Sequence, residues 1–240
     1  MVLKRIIDSI INADGSISVD DPGVISAFTS NPEFPFLVSF SRTGSHWLRM
    51  IMELYFEKPS LVRAFYFKDT GDFTCYHTHD MDLKLERKNV IYLYRNPVET
   101  VYSQLRYYEE DINDASRRKR WVELYARHLA KWLVYENFTT KKTVLTYEDM
   151  RARMHDEFFK ICAHFGQSLN EVKLNNVINK VSKDELKRKT AHDKQVVNLS
   201  DEYRESRSRF ENEYSDEIFG YIFSFEPDLE PFLLNSMDRD

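Results

Sequence analysis

Small hydroxyl residues, one glycine and an arginine crowd into Ser41-Arg42-Thr43-Gly44-Ser45-His46-Trp47. This turn lies between the apolar run Phe36-Leu37-Val38 and a stretch in which Trp47, Leu48, Ile51, Met52, Leu54 and Tyr55 recur at helical spacing. In such a strand-loop-helix, the N–H groups at the helix start and the Arg42 guanidinium converge on one spot, which suits an anion and above all phosphate. The loop has one glycine and no lysine, so it departs from the glycine-rich, lysine-bearing loop of nucleoside triphosphatases. An ordinary strand-to-helix turn with Ser45 as N-cap is the alternative. A second arginine, Arg95, closes the run Val90-Ile91-Tyr92-Leu93-Tyr94 and is followed by Asn96 and by Pro97 at a first helical position. His77 and His79, with Asp80 and Asp82, form a third polar cluster. It can supply a general base, or a pair of metal ligands of the hydrolase kind.

These groups need a scaffold. At 240 residues the chain suits one α/β domain spanning 1–240. Hydrophobic content of 42% and charged content of 30% are those of a soluble globular protein, and the net charge of -5 argues against a general nucleic-acid binder. Cys75 and Cys162 show no disulfide or zinc spacing, which predicts free thiols in a reducing compartment. The first residues lack a signal peptide's apolar core and no run approaches a membrane span, so a cytoplasmic protein is expected. Oligomeric state is not legible.

Along the chain, residues 1–13 read as a helix and the segment to Pro35 as a loop. Ala64-Phe65-Tyr66-Phe67 reads as a second strand, and the helix opened by Pro97 as running to about Tyr108. A long helix with Trp121, Leu124, Tyr125, His128, Leu129, Trp132 and Leu133 on one face follows, where His128 reads as a core residue. Thr143-Val144-Leu145-Thr146-Tyr147 is a further strand, and Glu148-Asp149 open a helix that stops at Gly166. From 170 to about 214 the pattern is polar and mostly helical. Strands alternating with helices predict an α/β fold with a parallel β-sheet flanked by helices, and ligands in such sheets bind beyond the carboxyl ends of the strands. Both arginine-bearing loops would lie there.

The set resembles the sulfotransferases that use 3'-phosphoadenosine 5'-phosphosulfate (PAPS). Their first loop, Pro-Lys-Ser-Gly-Thr-Thr-Trp, falls on Ser41-Arg42-Thr43-Gly44-Ser45-His46-Trp47, and their Arg-Asn-Pro motif with a serine eight positions beyond the arginine falls on Arg95-Asn96-Pro97 with Ser103. Their Lys-Thr-His is similar to His77-Thr78-His79, and Tyr147-Glu148-Asp149-Met150 is their Tyr-Glu-Asp-Met unchanged. The resemblance implies a P-loop-like nucleotide-binding fold and in-line sulfuryl transfer to a hydroxyl or amine, with adenosine 3',5'-bisphosphate (PAP) as product and no metal required. It implies that Ser41, Arg42, Thr43, Gly44, Ser45 and His46 hold the 5'-phosphosulfate, that Trp47 stacks on the adenine with Tyr147 beside it, and that Arg95 and Ser103 hold the 3'-phosphate. His79 would take the acceptor proton and Arg42 would stabilise the leaving oxygen.

The family's loop lysine is Arg42 here, and His46 stands at a hydroxyl position. Its late Arg-Lys-Gly loop has no counterpart, since no glycine lies between Gly166 and Gly220; Ser206-Arg207-Ser208-Arg209 is the candidate substitute, with Arg207 as cofactor-binding residue. The acceptor is expected to be a small soluble metabolite or carbohydrate. Tyr107-Tyr108-Glu109-Glu110-Asp111, with Asp80 and Asp82, either faces that acceptor or forms a helix end and solvated loop. Two rival classes are a nucleotide-sensing protein without turnover and a metal-dependent hydrolase using His77 and His79.

Overall fold

In the computed structural model, which describes residues 20–67, 72–137, 139–191 and 200–234, four parallel strands form a sheet. They are β1 (Phe36–Ser39), β2 (Tyr76–Thr78), β3 (Asn89–Tyr94) and β4 (Lys141–Thr146), in the order β2-β1-β3-β4. Leu37 pairs with His77 on one side and with Ile91 on the other, and Tyr94 pairs with Thr146. The chain leaves β1 toward β2 and then crosses back to β3, so the direction of winding reverses at β1. A crevice opens at such a reversal beyond the carboxyl ends.

Side chains alternate across the sheet with the period of two that strands impose. Phe36, Val38, Val90, Tyr92 and Tyr94 face α3 (Pro97–Tyr107), α4 (Ala115–Leu129) and α9 (Asp201–Phe225). Leu37, Ile91, Leu93 and Leu145 face α2 (Ser45–Phe56), α6 (Met154–His164) and α7 (Glu171–Lys180). The helices α1 (Pro22–Thr29), α5 (Tyr147–Ala152), α8 (Lys183–Lys189) and α10 (Glu230–Leu234) complete the described chain, and a π-helical segment, Ala130–Tyr135, continues α4. The parallel sheet between helix layers agrees with the expectation from sequence.

Several local expectations are corrected. Ala64-Phe65-Tyr66-Phe67 is not a strand; the backbone N–H groups of Phe65 and Tyr66 donate to the Glu53 carboxylate rather than to a sheet ladder. The strand at that place in the order is β2, within the polar histidine cluster. The N-cap of α2 is Gly44, not Ser45, which is the first helical residue. The helix expected from Glu148 to Gly166 is two, α5 and α6, parted at Arg153. The helix expected at 1–13 lies outside the described residues. Among the described residues no helix is long and apolar enough to cross a membrane.

Loop 59–66 is anchored by polar groups. Arg49 and Glu53, four residues apart on α2, are both buried. Arg49 Nη2 donates to the carbonyls of Val62 at 2.7 Å and Arg63 at 2.8 Å, while Glu53 accepts from the N–H of Ser60 at 3.1 Å. Val62 and Arg63 sit at φ of 66° and 52°. A β-branched residue in that region is strained and holds it only when fixed by such contacts.

Candidate active site

Four of the expected site groups stand on the residues just past a strand's carboxyl end: loop 40–44 after β1, His79 after β2, Arg95 after β3 and Tyr147 after β4. Because the strands are parallel and in register, all four ends share one edge of the sheet.

The cradle is shaped by backbone. Arg42 and Gly44 take left-handed φ values of 70° and 94°, and Thr43, buried, donates from its hydroxyl to the Phe40 carbonyl at 2.8 Å. No side chain at the N-cap, Gly44, caps α2, which leaves the first N–H groups of this helix without that partner. The Cδ2–Cε2 edge of the Tyr147 ring lies against Gly44: a Cβ there would stand 2.5 Å from Cδ2 and 2.7 Å from Cε2. The Gly44→Ala substitution is therefore expected to destabilise the fold by about 1–3 kcal/mol in denaturant titration, through both the clash and the positive φ. An unchanged midpoint would mean that the tyrosine is not packed on the loop. Trp47 meets Tyr147 edge-on, with centroids 5.9 Å apart. Gln104 Nε2 donates to the Ser41 carbonyl at 3.1 Å and also bonds the Ser41 hydroxyl, which ties the loop to α3.

Arg95 is held from several sides. Tyr125 clamps its backbone, accepting from the N–H at 3.0 Å and donating to the carbonyl at 2.8 Å. Its guanidinium lies 4.5 Å from the Tyr147 ring centroid, Nη1 donates to the Arg42 carbonyl at 3.3 Å, and Nε is buried without a hydrogen-bond partner. Asn96 caps α3, and its own N–H is taken by Glu148, whose carboxyl is raised above its usual pKa by burial. Arg42 Nε donates to Ser103 Oγ at 3.2 Å and its guanidinium lies 4.8 Å from the Tyr107 centroid. Arg42 and Ser103, assigned from sequence to different ends of the nucleotide, are thus in contact. Arg207, on α9, comes within 3.7 Å of Glu99 beside Arg95. Arg209 is exposed and does not. Sequence reasoning missed Tyr203, whose phenol lies in the field of Arg95, Arg207 and Arg42 and is raised in pKa chiefly by burial. The available signal was its spacing: Tyr203 is one helical turn before Arg207.

The histidines are arranged around β1. His79 Nδ1 lies 2.7 Å from the Ser39 carbonyl oxygen, and since a carbonyl only accepts, Nδ1 carries the proton and Nε2 carries the lone pair. Burial lowers the pKa of His79 below its ordinary 6.5, so the ring is neutral at pH 7. The His79 carbonyl in turn accepts from His128 Nε2 at 2.8 Å, and the other ring nitrogen of His128 accepts from the Tyr92 hydroxyl at 3.0 Å. Burial pushes His128 down to about 4, which keeps this buried chain in one tautomer. His128 is fully buried, as read from its helical face. His77 is held by Ser39 Oγ at 3.0 Å from its Nε2, and burial lowers it well below 6.5.

The other expected polar groups have structural partners. Asp80 is held by Arg87 through two bonds of 2.9 Å, and Asp82 accepts from the Lys84 N–H at 3.0 Å. Tyr108 stacks on Trp121 at 5.1 Å, and Glu110 accepts from Trp121 Nε1 at 2.8 Å and from Arg120 at 2.6 Å. Tyr108 and Glu110 thus serve the helix end, while Tyr107 lies against Arg42 at the cradle. Among the described residues no group of three or more His, Cys, Asp or Glu side chains is placed to hold a metal ion.

The family model described as a sulfotransferase domain matches residues 73–216, more than half of the chain. That range holds His79, Arg95, Ser103, Tyr147 and Arg207 but not loop 41–47. Of solved structures, mouse sulfotransferase SULT7A1 complexed with PAP matches with a TM-score of 0.57 at 18% identity, over 90% of this chain and 94% of that one. Retinol dehydratase in complex with androsterone and inactive cofactor PAP matches with a TM-score of 0.54 at 13% identity, over 92% and 94%. At such identities these likenesses speak for the fold. No curated protein matches.

Proposed function

From the premise that the chain belongs to the sulfotransferase family, we propose that it moves a sulfuryl group from PAPS to a hydroxyl or amine of a small soluble metabolite or carbohydrate. The observation that carries this reading is the convergence of loop 41–47, His79, Arg95 and Tyr147 on one edge of the sheet. The cradle suits an adenine nucleotide with phosphate at both ends. Gly44 leaves no room for a side chain, the start of α2 offers uncapped N–H groups, and Arg95 keeps a buried Nε without a partner. Solved relatives of the same fold are complexed with PAP.

When bound, the donor supplies an activated sulfuryl group. Loop 41–47 and the N-terminus of α2 hold the 5' end, Trp47 and Tyr147 offer their rings to the adenine, and Arg95, Ser103 and Arg207 receive the 3'-phosphate. Arginine suits that task because its planar fork gives two hydrogen bonds to one phosphate. His79 accepts the proton of the acceptor hydroxyl at Nε2, the atom its Ser39 contact leaves unprotonated. Arg42 adds positive charge on the cradle, where electrostatics and positioning do most of the work in transfers of this type. Arg42 bonds Ser103, read above as a 3'-phosphate residue, and acting on the leaving oxygen requires it to let go of that hydroxyl.

PAP is expected to raise the melting temperature in the presence of a chelator, and by more than ATP with magnesium does. The reverse ranking sinks the donor assignment. A labelled-donor transfer screen across sugars, phenols and amines then separates an enzyme from a nucleotide sensor: binding without transfer to any acceptor favours the sensor.

A further inference from the structure

One carboxylate stands among the arginines of the cradle. Glu99 lies four residues after Arg95 and four before Ser103, so the three fall along one side of the start of α3. Its carboxylate is bonded to Arg95 Nη2 and lies 3.7 Å from Arg207 Nη1, joining a residue past β3 to a residue on α9. The ion pair is sheltered, with 14% of the Arg95 side chain and 19% of the Glu99 side chain exposed. Glu99 is the third residue of α3, a position from which a glutamate ordinarily turns back to the N–H of its own cap. Here that N–H, on Asn96, is bonded by Glu148 Oε1 at 3.0 Å. Glu99 is thereby released from capping and turned onto the arginines.

Resting on the donor reading above, we propose that Glu99 is an internal competitor at the binding site, an anion on Arg95 and Arg207 that a ligand's 3'-phosphate must displace and that thereby limits how tightly that phosphate is held. A phosphate monoester can do so because it brings more charge and three acceptor oxygens against two. A nucleotide with a bare 3'-hydroxyl cannot, and it finds both arginines already neutralised. Glu99 thus costs the 3'-phosphate part of its contact and costs a nucleotide without one nothing. Arg207 is further paired with Glu211 at 3.2 Å, so that Arg95 and Arg207 meet two carboxylates.

The test is calorimetric titration of the full chain and of Glu99→Gln and Glu99→Ala with PAP and with adenosine 5'-monophosphate. Both variants are expected to bind PAP about tenfold more tightly while the monophosphate affinity stays where it was. Equal or weaker PAP binding overturns the proposal and makes Glu99 an organiser of the arginines; equal tightening toward both nucleotides overturns it as well. The Arg207→Met variant is expected to weaken PAP binding, and unaltered binding also counts against it. PAP binding by the unsubstituted chain with no gain in the variants overturns the role of Glu99 alone, whereas no PAP binding by the unsubstituted chain overturns the donor reading.

Discussion

Replacing His79 by alanine is expected to lower kcat toward a hydroxyl acceptor by about 10²–10⁴-fold while leaving PAP affinity unchanged. The base form is the neutral ring, and burial lowers the pKa of His79 below 6.5. The rate of the unsubstituted protein should therefore rise with pH through a value below 6.5 and stay flat above it, and the variant should lose that acid limb. A stability control belongs beside it. His128 and His164 are both pushed down to about 4 by burial, so each takes up a proton on unfolding between 6.5 and that value. Their contribution is complete above 6.5 and is lost as pH falls, at about 1.4 kcal/mol per pH unit for each group. An acid limb that follows the unfolding midpoint would belong to unfolding, to which His77, also lowered by burial, adds in the same direction. A fully active variant would move the base to His77, although its Nε2 is already engaged by Ser39.

The Arg95→Ala substitution is expected to weaken PAP binding by about 2–4 kcal/mol, or roughly 30- to 1000-fold, the worth of two charge-assisted hydrogen bonds. Adenosine 5'-monophosphate should lose far less. Equal losses would show that Arg95 acts through the Arg42 carbonyl and the Tyr147 ring it holds, and not on the 3'-phosphate. Arg95→Lys keeps the charge but not the fork, and it is expected to recover only part of the difference.

The sheet was legible because β1 and β3 are buried on both faces and read as unbroken apolar runs ending in polar turns. β2 was not, since it has three half-buried residues at the sheet edge, two of them polar. The aromatic run at 64–67 misled because its backbone partner is a carboxylate on α2, a long-range contact that leaves no period in the sequence. In the site, the residues adjoining strand ends were readable because motif and strand coincide. Tyr203 and Arg207 come from α9, which begins more than fifty residues after β4; with only Phe210, Ile218, Phe219 and Ile222 buried, that helix carries a weak apolar stripe. Arg207 was reached only by looking for a missing arginine. Glu99 carries no motif in the sequence, because its turn onto the arginines depends on the long-range contact of Glu148 with the Asn96 N–H.

The buried pair Arg49 and Glu53 gives α2 a second task. The N-terminus of this helix opens the proposed phosphate cradle, and about 12 Å farther along it Glu53 fixes loop 59–66, whose Phe65 returns to touch the ring of His46, with centroids 5.6 Å apart. One rigid rod thus serves as a ruler: it sets the gap between the loop proposed to hold the donor and the wall that borders it. Substitutions along loop 59–66 can change what the wall admits, while the length of that gap stays with the helix.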